Sequence, residues 1–249
     1  MDKDQRGRNK EVKLAALDSS GIVASAALIM DGVLLAEYSI DYKKTHSQTL
    51  LPMLDTIFKM TDTEPGSLDA VAVASGPGSF TGLRIGSATA KGLALALDIP
   101  IVEVPTLDAM AYQMFGFDGI ICPMLDARRG QVYTALYTFE KDKLVQVHTC
   151  CAVEAEKIIE AAADTGKRVI FSGEGSDLYK ELISERIKKS LFAPAHMARQ
   201  RAGAVAALGA LYLEEGRAVN ADTHTPLYLR LSHAERERLE REKSENGAG

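Results

Sequence analysis

The chain has 249 residues, 46% hydrophobic and 25% charged, the make-up of a folded globular protein, which argues against global disorder, a collagen repeat or a coiled-coil rod. A chain of this length forms one large domain or two modest ones. Its 29 basic and 34 acidic residues leave a formal net charge of −5, so the overall basic excess of a free-standing nucleic-acid binder is missing, while a local basic patch stays open.

Cys122, Cys150 and Cys151 form no CxxC pair and no zinc-finger spacing, so free, mostly buried thiols in a reducing compartment are expected. Residues 1–11 are charged, lack the apolar stretch of a secretory signal and read as a disordered leader. No run approaches about 18 apolar residues without a charge, so no spanning helix is expected and the chain reads as cytoplasmic.

A first strand is expected over residues 12–17, closing on Asp18-Ser19-Ser20-Gly21. A second apolar run, 22–30, ends at Asp31-Gly32, a hairpin turn signal, and a third run follows over 33–40. Such short spacing implies an antiparallel meander. Leu50, Leu51, Leu54, Ile57 and Phe58 recur at helical spacing and predict a helix over 47–60, with Pro52 early in it. A loop at 61–67 precedes a buried strand at 68–74, a glycine-rich segment at 75–86, an alanine- and glycine-rich helix to Leu97, and a strand at 99–104. The first lobe is thus expected over 12–105 as β-β-β-α-β-α-β, a mixed sheet with helices packed on it. A second α/β lobe is expected over 106–198. Its helices fall at 107–115, 154–165 and from Gly175 to about 187, and its strands at 119–125, 131–139 and 168–171. A closing helix at 199–215 and an extended segment at 226–231 end in a charged tail over 232–249 that alternates Glu with Arg or Lys. No fixed-period repeat is evident, but both halves contain strand-then-helix segments.

The segment Ser75-Gly-Pro-Gly-Ser-Phe-Thr-Gly-Leu-Arg-Ile-Gly86 is the most unusual. A glycine-rich turn between a buried strand and a helix can present backbone N–H groups to an anion. It can equally be a tight turn that fits a helix closely on a sheet. It matches neither the Walker A pattern nor a clean GxGxxG. Asp18 and Ser20, between two strands, suit either a phosphate site or an Asx turn. Asp126, at a strand end before Arg128 and Arg129, suits either a cleft or a charged hairpin tip. His46, His196, His224 and His233 are isolated in sequence, and no metal site is expected. No GxSxG elbow or carboxylate pair appears. The small-residue helix after Gly86 suits close packing, in the core or at a helix–helix interface.

Leu17-Asp-Ser-Ser20, His46-Ser47 with Leu50-Leu51-Pro52, the 75–86 segment, Pro123-Met-Leu-Asp-Ala-Arg-Arg-Gly-Gln-Val-Tyr133 and Pro226-Leu-Tyr-Leu-Arg230 occur in the order found in the bacterial TsaB family, formerly YeaZ, which the chain resembles over about 12–231. The resemblance implies an actin-like ATPase fold (sugar kinase, Hsp70, actin) with two related α/β lobes. It implies a noncatalytic scaffold for TsaD, the transferase that makes N6-threonylcarbamoyladenosine at position 37 of tRNAs reading ANN codons. TsaC supplies the threonylcarbamoyl-adenylate, and TsaE, an ATPase, binds the TsaB–TsaD pair. The implied partner surface holds Arg84, Ser87, Ala88, Lys91 and Leu95, with Leu50 and Leu54 on the helix beside it, and the same surface forms a homodimer when TsaD is absent. Asp18, Ser20 and Asp126 would lie in a vestigial nucleotide cleft. No cofactor is expected in isolation, and ATP is used by the assembled system. tRNA is reached only through the complex, with Arg128, Arg129, Lys188 and Lys189 as local basic candidates. The alternatives are an ATP-dependent small-molecule kinase of the same superfamily, motivated by Asp18 and Asp126, and a glycoprotease, for which the sequence offers no zinc pair and no local nucleophile–base arrangement.

Overall fold

The computed structural model describes residues 11–42 and 44–229. The expected leader up to Lys10 and the charged tail lie outside them. Two mixed sheets form the frame. The first sheet is built from β1 (Lys13–Asp18), β2 (Ala24–Met30), β3 (Val33–Ile40), β4 (Ala70–Gly76), β5 (Ile101–Pro105) and β11 (Ala218–Val219), in the order β11-β5-β4-β1-β2-β3. The second holds β6 (Ile120–Arg128), β7 (Gln131–Glu140), β8 (Lys143–Glu154), β9 (Val169–Ser172) and β10 (Leu191–Phe192), in the order β10-β9-β6-β7-β8. In the first sheet β1 runs antiparallel to β2 and parallel to β4; in the second β6 runs antiparallel to β7 and parallel to β9. The two sheets therefore repeat one topology strand for strand, β1 to β5 matching β6 to β10. This duplicated pair of α/β lobes is the two-lobe arrangement that the resemblance leads one to expect.

The helices follow the same repeat. α1 (His46–Met60) follows the first meander and α4 (Ala155–Asp164) the second. α2 (Phe80–Leu97) follows β4, while α5 (Glu174–Leu178) and α6 (Lys180–Arg186) follow β9. α3 (Thr106–Tyr112) and α7 (Ala202–Glu214) close the lobes. α7 crosses back to the first sheet, while α3, which begins the second lobe, packs on that lobe's sheet. α7 packs Ala202, Val205, Ala206 and Leu208 on Leu14, Ala72 and Val104 of the first sheet, and α3 packs Leu107, Met110 and Ala111 on Ile121, Leu125 and Tyr137 of the second. Gly209 makes the α7 contact close, since a Cβ there would stand 2.8 Å from the Cβ of Ala72. Leu50, Met53, Leu54, Ile57 and Phe58 of α1 are buried with Leu17, Leu28 and Val73 on the other face of the first sheet, as the helical spacing of apolar residues requires.

Most expected elements fall within a few residues of the observed ones. β8 has no counterpart among them. It is an edge strand paired only with β7 and mostly half-exposed, so its sequence lacks the apolar pattern of a buried strand. The helix expected from Gly175 to about 187 is broken at Tyr179 (φ −108°, ψ 19°) into α5 and α6. The segment expected to be extended at 226–231 is, as far as Leu229, an irregular strap rather than a strand. The cysteines are free; Cys122 is buried, while Cys150 and Cys151 are half-buried. Among the described residues no helix is long and apolar enough to cross a membrane.

Candidate functional site

The topological repeat brings two aspartates to equivalent positions at the carboxyl ends of β1 and β6. Asp18 Oδ1 accepts from the backbone N–H of Ser20 at 2.9 Å and from its hydroxyl at 2.6 Å. Asp126 Oδ1 accepts from the backbone N–H of Arg128 at 2.7 Å, closing the same i to i+2 turn. The two differ in environment. Asp18 is buried, its Oδ2 has no partner among the described residues, and burial lifts its carboxyl from 3.8 to about 6 against the lowering hydrogen bonds from Ser20. Asp126 is partly open and lies 3.4 Å from the guanidinium of Arg128.

The glycine-rich segment resolves in favour of close packing. A Cβ on Gly78 would collide with the carbonyl oxygen of Ser20, and one on Gly82 with that of Ser19. A Cβ on Gly86 would stand 2.5 Å from Ser19 Oγ. The N-terminal end of α2 is thus seated directly on the β1–β2 turn. Hydrogen bonds lock the seat: Ser79 N–H donates to Ser20 O at 2.6 Å, and Ser19 Oγ donates to Gly82 O at 2.8 Å. Ser79 caps α2, its hydroxyl accepting from Gly82 N–H at 3.3 Å. The amides of Ser79, Gly82 and Leu83 are therefore spent inside the chain.

Between the lobes lies an open cleft of about 610 Å³. Ser20, Ile22, Ser79 and Phe80 line it from the first lobe, Asp126, Arg128, Arg129, Glu174 and Asp177 from the second, and Leu227 and Tyr228 from the strap. The actin-like fold expected from the resemblance would place a nucleotide here, and these residues do not fit its polyphosphate. Three of the glycine loop's amides, those of Ser79, Gly82 and Leu83, are taken inside the chain, so the loop offers no full cradle for a polyphosphate. Burial raises the Glu174 carboxyl above its ordinary range. Gln200, fully buried, sits against Gly21, where even a Cβ would overlap it. Among the described residues no three His, Cys, Asp or Glu side chains are arranged to hold a metal ion. No phosphoryl-transfer step follows from this geometry.

Of the residues assigned by resemblance to the partner surface, Arg84, Ala88 and Leu95 are exposed and Lys91 is half-exposed. Three are not on the surface. Leu50 and Leu54, each 1% exposed, belong to the core face of α1, and Leu51 at 58% takes their place outside. Ser87 is buried because its hydroxyl lies 2.7 Å from Nε2 of His224, whose Nδ1 lies 2.6 Å from Glu103 Oε1. This Ser–His–Glu chain has the order of a hydrolytic triad, yet Ser87 sits mid-helix, and neither it nor His224 lines the cleft. It clamps the strap to α2 and β5. Further along, Leu227 N–H donates to Ser75 O at 2.7 Å, the rings of Tyr228 and Phe80 lie 4.8 Å apart, and Arg84 stacks 4.0 Å over Phe80. Glu103 and Gln200 escaped the sequence reading, and His224 read there as isolated, because the partners of His224 lie more than a hundred residues away in the chain and an isolated Gln carries no signal. His46 Nε2 lies 2.9 Å from Gly21 O, at the β1–β2 turn. Lys188 and Lys189 are exposed in the turn after α6 and do not line the cleft.

The family model described as TsaD, tRNA N6-adenosine threonylcarbamoyltransferase, matches residues 34–238. The tRNA threonylcarbamoyladenosine biosynthesis protein TsaB of Bacillus subtilis is 36% identical over 231 residues, covering 92% of this chain and 99% of that protein. The TsaB protein of Escherichia coli is 37% identical over 128 residues, 51% of this chain and 55% of that protein. The solved structure of YeaZ from Pseudomonas aeruginosa superposes with a TM-score of 0.76 at 25% identity, covering 88% of this chain and all of that one. Matched along nearly its whole length by a TsaB protein and sharing the fold of a YeaZ structure, the chain belongs to the TsaB (YeaZ) family.

Proposed function

We propose that the chain is the noncatalytic partner of a TsaD-type transferase and is required for N6-threonylcarbamoyladenosine formation at position 37 of tRNAs reading ANN codons. The observation that carries this reading is the match to a TsaB protein over 92% of the chain. The open face of α2 supports it: Arg84, Ala88, Gly92 and Leu95 point outward, Leu95 is 60% exposed, and a Cβ on Gly92 would meet nothing within 4 Å. Leu51 and Asp55 of α1 lie on the outer side of the neighbouring helix. A helix face with small residues and no covering element admits a partner helix at close range. The same face serves a homodimer when TsaD is absent, and TsaE joins the assembled pair. The chain holds no nucleotide of its own, and ATP is consumed by the assembled system.

The test is threonylcarbamoylation of a tRNA reading ANN codons with purified TsaC, TsaD and TsaE, with and without this chain. Product only in its presence is the expected result, and equal product in both reactions overturns the reading. Titration of the isolated chain with millimolar Mg-ATP is expected to give no saturable heat; a saturable isotherm would restore the kinase alternative.

A further inference from the structure

The cleft between the lobes gathers features that a scaffold with a vestigial site does not need. Ile22, Leu178, Leu227 and Tyr228 are 48, 64, 47 and 40% exposed, and all four line it. Its carboxylates are largely answered within the chain. Asp126 is held by the backbone and guanidinium of Arg128, Asp177 by Arg199, and Glu174 is mostly buried, with the amide of Gln200 at 3.5 Å. One cation of the lining is not answered: Arg129 has no acidic partner among the described residues. Arg129 stands at the tip of the β6–β7 hairpin, where Arg128 (φ 65°) and Arg129 (φ 56°) both adopt the left-handed conformation. A hairpin tip of this kind ordinarily takes Asn, Asp or Gly, so two arginines there are held against local preference. On the opposite lip stands the Phe80–Tyr228 ring pair, backed by Arg84, which stacks on Phe80 and whose Nε donates to the Tyr228 hydroxyl at 3.4 Å.

We propose that this lip, Arg129 with Phe80 and Tyr228, is a direct RNA contact of the chain within the assembled complex. It rests on the reading above that the chain works in a tRNA-modifying assembly. Arginine neutralises backbone phosphate, and an aromatic face takes an unstacked base. A cleft of about 610 Å³ has room for one base beside the rings. The net charge of −5 means that the lip acts as a local contact beside a partner and gives the isolated chain no general affinity for RNA.

The experiment measures binding of a fluorescent tRNA reading ANN codons to the complex of the full chain with TsaD, by anisotropy over a salt series. Wild type is compared with Arg129→Asn, which keeps a residue tolerant of the left-handed backbone, and with Arg129→Glu. Both variants are expected to weaken tRNA binding roughly fivefold or more, and Arg129→Asn to flatten the log–log salt slope by about 0.7–0.9, the share of one phosphate contact. Calorimetric affinity for TsaD is expected to stay at the wild-type value, and photo-crosslinks from 4-thiouridine in the tRNA are expected in the peptide 127–133. Unchanged tRNA affinity and slope in both variants overturn the proposal. A matching loss of TsaD affinity also overturns it, by making the lip a protein contact. If the wild-type chain supports modification while the variants bind tRNA as it does, only the lip fails; if the wild-type chain supports none, the functional reading itself fails.

Discussion

Asp18 is held at the end of β1 by Ser20, with one carboxylate oxygen buried and unpartnered among the described residues. Burial disfavours the charged form and lifts the group from 3.8 to about 6. Between those values the folded chain keeps a proton that the unfolded chain has released, so this residue's contribution to stability falls as pH rises from about 4 to about 6. Above that window the ionised carboxylate costs about 3 kcal/mol. Asp18→Asn is therefore expected to be more stable than wild type at pH 7.5, with the advantage shrinking as pH approaches 4. Urea unfolding at both pH values reads this, and an equal difference at the two would refute it. His224 makes the opposite case. Fully buried, it bonds Ser87 and Glu103 at once, and His224→Ala would orphan the buried Ser87 hydroxyl and leave the part-exposed Glu103 carboxylate with the Thr225 N–H at 3.4 Å. The expected loss is about 2–4 kcal/mol, read by thermal unfolding, with Ser87→Ala costing less because it removes one end of the chain only.

At the scale of the element, α2 has three faces with three different demands. Its N-terminal end is seated on the β1–β2 turn through glycines; Gly82→Ala drives a methyl into the Ser19 carbonyl and is expected to destabilise by about 2 kcal/mol or more in denaturant unfolding. Its inner face holds Ala90 and Ala94, at 0 and 1% exposure. Its outer face holds Ala88. Ala88→Arg is expected to leave the thermal midpoint unchanged and to weaken TsaD binding by more than about 2 kcal/mol in calorimetry, whereas Ala90→Arg buries a charge and is expected to prevent folding. Wild-type TsaD affinity in Ala88→Arg would remove the proposed surface. Small residues at helical spacing announced a closely packed helix in the sequence, but spacing does not say which small residue meets the core. The same limit put Leu50 and Leu54 on the wrong side of α1: an i, i+4 pair of leucines marks the buried stripe, and the outward position fell to Leu51.

The whole molecule is a duplicated fold tied by α7. That helix, from residues 202–214, covers the first sheet, so the first lobe does not complete its own core, while α3 packs on the sheet of the second lobe that it opens. Full-length chain is expected to unfold in one calorimetric transition, and a fragment over 12–105 to stay unfolded, because Leu14, Ala72 and Val104 would lose the helix that covers them. A cooperatively folded fragment, seen as dispersed amide signals, would contradict this. Local chemistry was enough to reveal the meander of the first lobe, the two long helices α1 and α2, the turn at Asp31-Gly32 and the mixed-sheet class, since apolar period and turn residues act over neighbouring positions. The ordered motifs also carried the family. The sequence left open whether the glycines served an anion or a neighbouring turn, because that depends on what stands within 4 Å of each missing Cβ. The distance between Ser87 and His224, the pairing of the two Asx turns across the lobes, and the gathering of Arg129, Phe80 and Tyr228 around one cleft were likewise decided only in three dimensions. Periodicity records which side of an element is buried; long-range packing alone determines what it is buried against and which polar groups are left facing open space.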